Sequence, residues 1–122
     1  MKMKMLVPIL AVALGGAIGA VLRYGVYKTI DTTFPWATVF VNIVGCILAS
    51  FLMFRYGVDM NDTLKTFVFV GLFGAFTTMS TFSIDVVKLL ADASYTGAML
   101  HFFLNSVICI IAAAAGRWLA LL

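Results

Sequence analysis

The 122-residue chain contains no glutamate, and charge of either sign is scarce: eight Lys and Arg against five acidic residues, 11% of the chain together. The basic residues stand singly, which excludes the basic patch of a nucleic-acid interface. They read instead as markers of helix ends at a membrane surface. His101 is the only histidine, so a histidine-based metal site has no second imidazole within one chain. The two cysteines, Cys46 and Cys109, fall inside apolar runs, where a thiol behaves as a small hydrophobe. Neither a disulfide framework nor a metal-ligand spacing is present. A lone histidine and thiols in apolar runs make no nucleophile–base pair, so the sequence does not read as an enzyme.

What fills the chain is apolar surface. Hydrophobic residues make up 64% of it and the mean hydropathy is +1.14, against roughly 45–50% apolar residues in an average soluble domain. A core this small cannot hide the excess, so lipid is the solvent the chain requires. Four apolar segments run from about Met5 to Tyr27, Trp36 to Phe54, Leu64 to Leu90 and Thr96 to Leu122. Between them lie Lys28 with the turn Asp31-Thr32-Thr33-Phe34-Pro35, then Arg55, Gly57 and Asp59, then Asp92. Each segment approaches or exceeds the ~20 residues that carry a helix across a bilayer, whereas barrel strands would alternate over about 10. The sequence therefore predicts an all-α membrane protein of four transmembrane helices, a single domain over residues 1–122. Lys2 and Lys4 before an apolar stretch, with Ala11-Val12-Ala13 behind it, resemble a signal peptide. The stretch before that site is short and continues well past it, so it reads as a retained first helix. One membrane side would hold Lys2, Lys4, Arg55, Lys65 and Arg117, the other Arg23, Lys28 and Lys88, five against three. So weak a bias permits insertion in both orientations, and with it antiparallel homodimers about a two-fold axis in the membrane plane.

Small residues mark packing faces. Gly15 and Gly19 form a small-xxx-small face in the first segment, Gly45 and Ala49 repeat it in the second, and Ala112 to Ala115 with Gly116 supply one in the fourth. Polar side chains inside hydrocarbon are costly and turn to the bundle interior or a solute path. Thr38 and Asn42 share one helical face, and Asn42 donates two hydrogen bonds without carrying charge. The third segment is the strongest anomaly: Thr77, Thr78, Ser80, Thr81 and Ser83 place five hydroxyls within seven residues, with Gly71 and Gly74 ahead of them. Hydroxyls satisfy backbone groups freed by a helix break, or bond back to their own helix's carbonyls. His101, Asn105 and Cys109 make a stripe at intervals of four, flanked by Ser106, suited equally to a pore wall or to interhelical contacts. Arg23 and Asp85 sit where each reaches an interface; Arg23 is also placed to draw anions, and Asp85 to pair with a basic residue.

Three stretches together resemble the Fluc (CrcB) family of fluoride channels. They are Gly15-Gly16-Ala17-Ile18-Gly19-Ala20-Val21-Leu22-Arg23-Tyr24, Thr38-Val39-Phe40-Val41-Asn42-Ile43-Val44-Gly45-Cys46, and Gly71-x-x-Gly74-x-x-Thr77-Thr78-Met79-Ser80-Thr81-Phe82-Ser83. The likeness covers nearly the whole chain. It implies passive export of fluoride from the cytoplasm across the inner (plasma) membrane of a bacterium. It also implies a broken third helix, an antiparallel dual-topology homodimer with two pores, and a structural sodium ion (Na+) at the dimer centre. On this chain the sodium ligands would be the main-chain carbonyls of Gly74 and Thr77. Asn42 would hydrogen-bond fluoride, Phe82 would offer its ring edge, Ser80 and Thr81 would line the path with Thr38, and Arg23 would sit near the vestibule. The match on the fourth segment, His101 and Asn105, is loose. Where the family usually has phenylalanine this chain has Met79; a thioether lacks the positive ring edge and serves as an adaptable apolar wall, so conduction is expected to be retained but altered. Two other readings compete. A small multidrug transporter shares the four short helices and the length, but it binds cations through a first-helix glutamate that this chain lacks. A non-transporting membrane scaffold would confine its polar residues to pairwise helix contacts.

Overall fold

The computed structural model describes the chain from Lys2 to Leu122, and side chains from Lys4 onward; the expected place of Lys2 at the membrane surface lies outside the described side chains. Four helical spans follow one another: Lys2–Thr29, Trp36–Tyr56, Asp62–Ala91 and Tyr95–Ala120. Each is long and apolar enough to cross a membrane. The first and third run past the apolar limits read from the sequence at both ends, the second only at its end and the fourth only at its start, because a helix keeps bonding its own backbone through the headgroup region where polar side chains become welcome. Cationic side chains there rest on aromatic faces: Lys28 lies 5.5 Å from the Tyr24 ring centre and Arg117 5.3 Å from that of Phe54. The third span opens on an Asn61 cap whose Oδ1 accepts from the Leu64 N–H at 2.8 Å. It closes on a turn that puts Ala93 at φ 57° and returns the Ser94 N–H to the Leu89 carbonyl at 2.8 Å.

Two close crossings organise the bundle. The first helix packs on the first half of the third span. A Cβ at Gly15 would collide with the Phe67 carbonyl, one at Gly19 with the Leu72 carbonyl, and one at Gly71 would stand 3.0 Å from the Cα of Gly15. Only glycine lets the two backbones come so near. The third span is π-helical over Thr66–Phe73 along this contact, and the fourth over Leu104–Ile108. The second helix packs along the second half of the fourth span, where a Cβ at Gly116 would collide with the Ile47 carbonyl, Ser50 Oγ donates to the Ala113 carbonyl at 2.6 Å, and Arg55 reaches the Ala120 carbonyl at 3.2 Å. The late part of the third span pairs with the early part of the fourth.

The distribution of polarity is inverted relative to a soluble domain. Leu14, Val21 and Ile110 are 63%, 69% and 71% exposed, while the largest fully buried side chains are His101, Val41 and Thr38. Apolar atoms face outward, as lipid demands, and polar ones collect inside.

Candidate functional site

The helical hydrogen-bond ladder of the third span stops at Phe76 and resumes at Ser80. Thr77 is extended, at φ −85° and ψ 162°. In an uninterrupted helix the Thr78 N–H would bond the Gly74 carbonyl and the Thr81 N–H the Thr77 carbonyl. Here the Thr78 N–H goes to Asn42 Oδ1 at 2.8 Å and the Thr81 N–H to the Thr78 hydroxyl at 3.1 Å. The carbonyls of Gly74 and Thr77 are thereby released from the ladder. Of the five hydroxyls in this stretch, Thr77 Oγ1 donates back to the Phe73 carbonyl at 2.9 Å and Ser83 Oγ to that of Met79 at 2.9 Å. Thr78 caps the resumed helix, and Ser80 lies 3.4 Å from the Thr78 hydroxyl. A Cβ at Gly45 would strike the Thr77 methyl group, so the second helix meets the interruption through a glycine.

Asn42 holds both sides of Thr78: it accepts from the N–H and donates to the carbonyl at 3.0 Å. Its other amide hydrogen reaches Asn105 Oδ1 at 2.7 Å. Asn105 Nδ2 in turn meets the His101 carbonyl at 2.9 Å and Nδ1 at 3.1 Å. His101 Nε2 lies 3.3 Å from Asp85 Oδ2, which also accepts from the Thr38 hydroxyl at 2.7 Å. With its proton so used, Thr38 accepts from Tyr27, 2.5 Å away. A single hydrogen-bonded line therefore runs through all four spans. Phe34 and Phe82 flank the His101 ring, with centroids 5.4 and 5.3 Å away, and Phe82 is buried.

Thr38, Asn42, Asp85, His101 and Asn105, singled out from the sequence, are thus brought together. Asp85 meets a histidine and a threonine within the bundle. Met79, 72% exposed, and Ser80 face away from the line, and Ser106 donates to its own helix at the Phe102 carbonyl. Arg23 lines a groove of about 490 Å³ with Ala20, Tyr24, Tyr27 and Thr81. Tyr27 and Thr81 also border a groove of about 400 Å³ that Thr38, Asp85 and Lys88 share. Sequence reasoning did not assign Tyr27 or the Thr78 backbone. Tyr27 looked like the end of an apolar run, and no side-chain pattern marks a backbone group as a partner.

Among known proteins, the profile of the family described as "CrcB-like protein, Camphor Resistance (CrcB)" matches residues 10–117. The fluoride-specific ion channel FluC of Magnetococcus marinus is 40% identical over 111 residues, covering 86% of this chain and 90% of its own length. That of Idiomarina loihiensis is 40% identical over 113 residues, with 88% of each chain covered. That of a Sulfurihydrogenibium species is 38% identical over 117 residues, covering 91% of this chain and 94% of its own.

Proposed function

This chain belongs to the CrcB family, and on that premise we propose that it is a passive, fluoride-selective channel of the bacterial cell membrane. The observation that carries the reading is the identity of about two residues in five, over most of both chains, with proteins named as fluoride-specific channels. The interruption at Thr77 to Met79, held by Asn42, supports it from the side of the fold. Four apolar spans make the chain a multi-pass membrane protein.

Fluoride is small and strongly hydrated, so a path through lipid must replace its water with donors and still let the ion leave. The chain offers neutral donors at the hydroxyls of Ser80 and Thr81 and at the amide of Asn42. Both Asn42 amide hydrogens already have protein acceptors, so Asn42 serves the ion by exchanging its bond to Asn105 for one to fluoride. Phe82 sets its electropositive ring edge beside the line. Arg23, in the groove beside Thr81, concentrates anions at the mouth. Met79 and Ser80, exposed on one chain, acquire walls in an antiparallel homodimer of two chains, with one path along each face.

The donor set at the interruption fits a hard cation. Gly74 and Thr77 present carbonyl oxygens released from the ladder, as the bonds of Thr78 and Thr81 imply. Gly74 is exposed on the single chain and so open to a second copy. Carbonyl oxygen suits hard ions such as Na+, and a cation there would supply fixed positive potential to both paths. The test of the reading is release of fluoride, followed with a fluoride electrode, from KF-loaded liposomes that carry the purified protein and have been given a potassium ionophore to balance the charge. Release no faster than from protein-free liposomes contradicts it.

A further inference from the structure

We propose that His101 is a positioning residue: its neutral Nε2–H form keeps Asn105 and Asn42 in the orientation that holds the interrupted third span, and a second proton on the ring undoes it. This rests on the channel reading above. The orientation of the line is set from its backbone end. Thr78 offers one N–H and one carbonyl, so Asn42 must turn Oδ1 to the first and Nδ2 to the second. Its remaining amide hydrogen then fixes Oδ1 of Asn105, which leaves Asn105 Nδ2 directed at the His101 carbonyl and at Nδ1. Nδ1 must therefore carry the lone pair. The ring proton sits on Nε2, where the carboxylate oxygen of Asp85 accepts it at 3.3 Å.

An imidazolium has donors at both nitrogens. Its Nδ1–H would face the Asn105 amide hydrogens across 3.1 Å. Turning Asn105 over moves the conflict to Asn42, donor against donor; turning Asn42 over sets its oxygen against the Thr78 carbonyl. One mismatch persists wherever it is placed. His101 is 0% exposed, between the rings of Phe34 and Phe82, so bulk water does not reach the ring to relieve it. The titratable and charged groups around it are few. Asp85 on the third span is in contact. Tyr27 on the first helix is reached through Thr38, and the second helix contributes only the neutral Thr38 and Asn42. Asp31, Lys88 and Asp92 line the groove that Asp85 borders.

Because His101 is the only histidine, the tautomer is directly readable. In protein labelled with ¹⁵N-histidine at neutral pH, NMR should give a neutral ring protonated at Nε2; protonation at Nδ1 overturns the proposal whether or not the protein conducts. In liposomes given a potassium ionophore, with protein-free vesicles subtracted to remove leak of undissociated HF, wild-type fluoride efflux should fall about tenfold once the ring takes its second proton, read as one step on titrating from about pH 7.5 down to about 4.5. His101→Ala should be slow throughout. His101→Asn, whose Oδ1 takes the place of Nδ1 as acceptor, should recover much of the rate lost in His101→Ala and show a flat pH profile. Brisk wild-type efflux that is independent of pH overturns the positioning role and leaves the channel reading standing. Absence of efflux at pH 7.5 removes the channel reading, and the tautomer measurement then decides the orientation alone.

Discussion

Asn42→Asp preserves the shape of the side chain and changes one group: the nitrogen 3.0 Å from the Thr78 carbonyl and 2.7 Å from Asn105 Oδ1 becomes an oxygen. Two attractive contacts turn into oxygen facing oxygen. Asn105 relieves one of them by turning over, at the loss of its bonds to His101. The Thr78 carbonyl belongs to the backbone and cannot turn. Hydrogen bonds between membrane helices average ~0.6 kcal/mol, so Asn42→Ala, which loses the three bonds that Asn42 makes, removes about 2 kcal/mol. Asn42→Asp keeps the acceptor for the Thr78 N–H and shares the unmatched Thr78 carbonyl with Asn42→Ala, but it also sets a carboxylate oxygen against that fixed carbonyl inside the bundle, and a desolvated charge with no partner costs several kcal/mol more. The expected order of thermal midpoints in detergent is wild type, then Asn42→Ala, then Asn42→Asp, and fluoride efflux from liposomes should be severely reduced in the last. An Asn42→Asp protein as heat-resistant as wild type would refute the clamp on Thr78, whatever its flux.

The glycine crossings divide by position. Gly15→Ala, whose Cβ would collide with the Phe67 carbonyl, should lower stability by about 1–3 kcal/mol, while Gly16→Ala, whose nearest neighbour stands 4.0 Å off, should be neutral or slightly stabilising; equal melting curves for the two would contradict the crossing. Ala93→Gly relieves a left-handed backbone at φ 57° and should raise stability by about 1 kcal/mol, read as a higher thermal midpoint. Phe82→Ile removes a buried ring that lies 5.3 Å from the His101 centroid. It should cut fluoride efflux well below wild type while the protein still folds, and unchanged flux would exclude the ring from the path.

Much of the architecture is legible in the sequence, and the reasons are physical. A chain that must satisfy every backbone group inside lipid shows its spans as apolar runs, so their number and approximate limits follow from composition. The face of Gly15 and Gly19 announced a close crossing, and Gly71 proved to be its other side. The π-helical turns at Thr66–Phe73 and Leu104–Ile108 left no mark. An extra residue in a turn shifts hydrophobic periodicity, and a helix apolar nearly all round has little periodicity to shift. The polar line was legible as residues but not as pairs. Spacing puts Thr38 with Asn42 and His101 with Asn105 on common faces, yet it does not say that Asn42 meets Asn105, 63 positions away, or that Asp85 meets Thr38, 47 positions away. Asn105 therefore read equally as pore wall and as contact, and its place beside Asn42 became visible only once the helices were assembled. The carbonyls proposed to hold sodium and the proposed second chain are backbone and partner features, which side-chain patterns encode least.

The central claim, passive movement of fluoride, is tested most directly by the dependence of efflux on charge compensation. Liposomes carrying the protein and loaded with KF should release fluoride slowly until a potassium ionophore is added, then rapidly, and should retain chloride under the same conditions. Full-rate fluoride release without the ionophore, or equal release of chloride, would contradict the account.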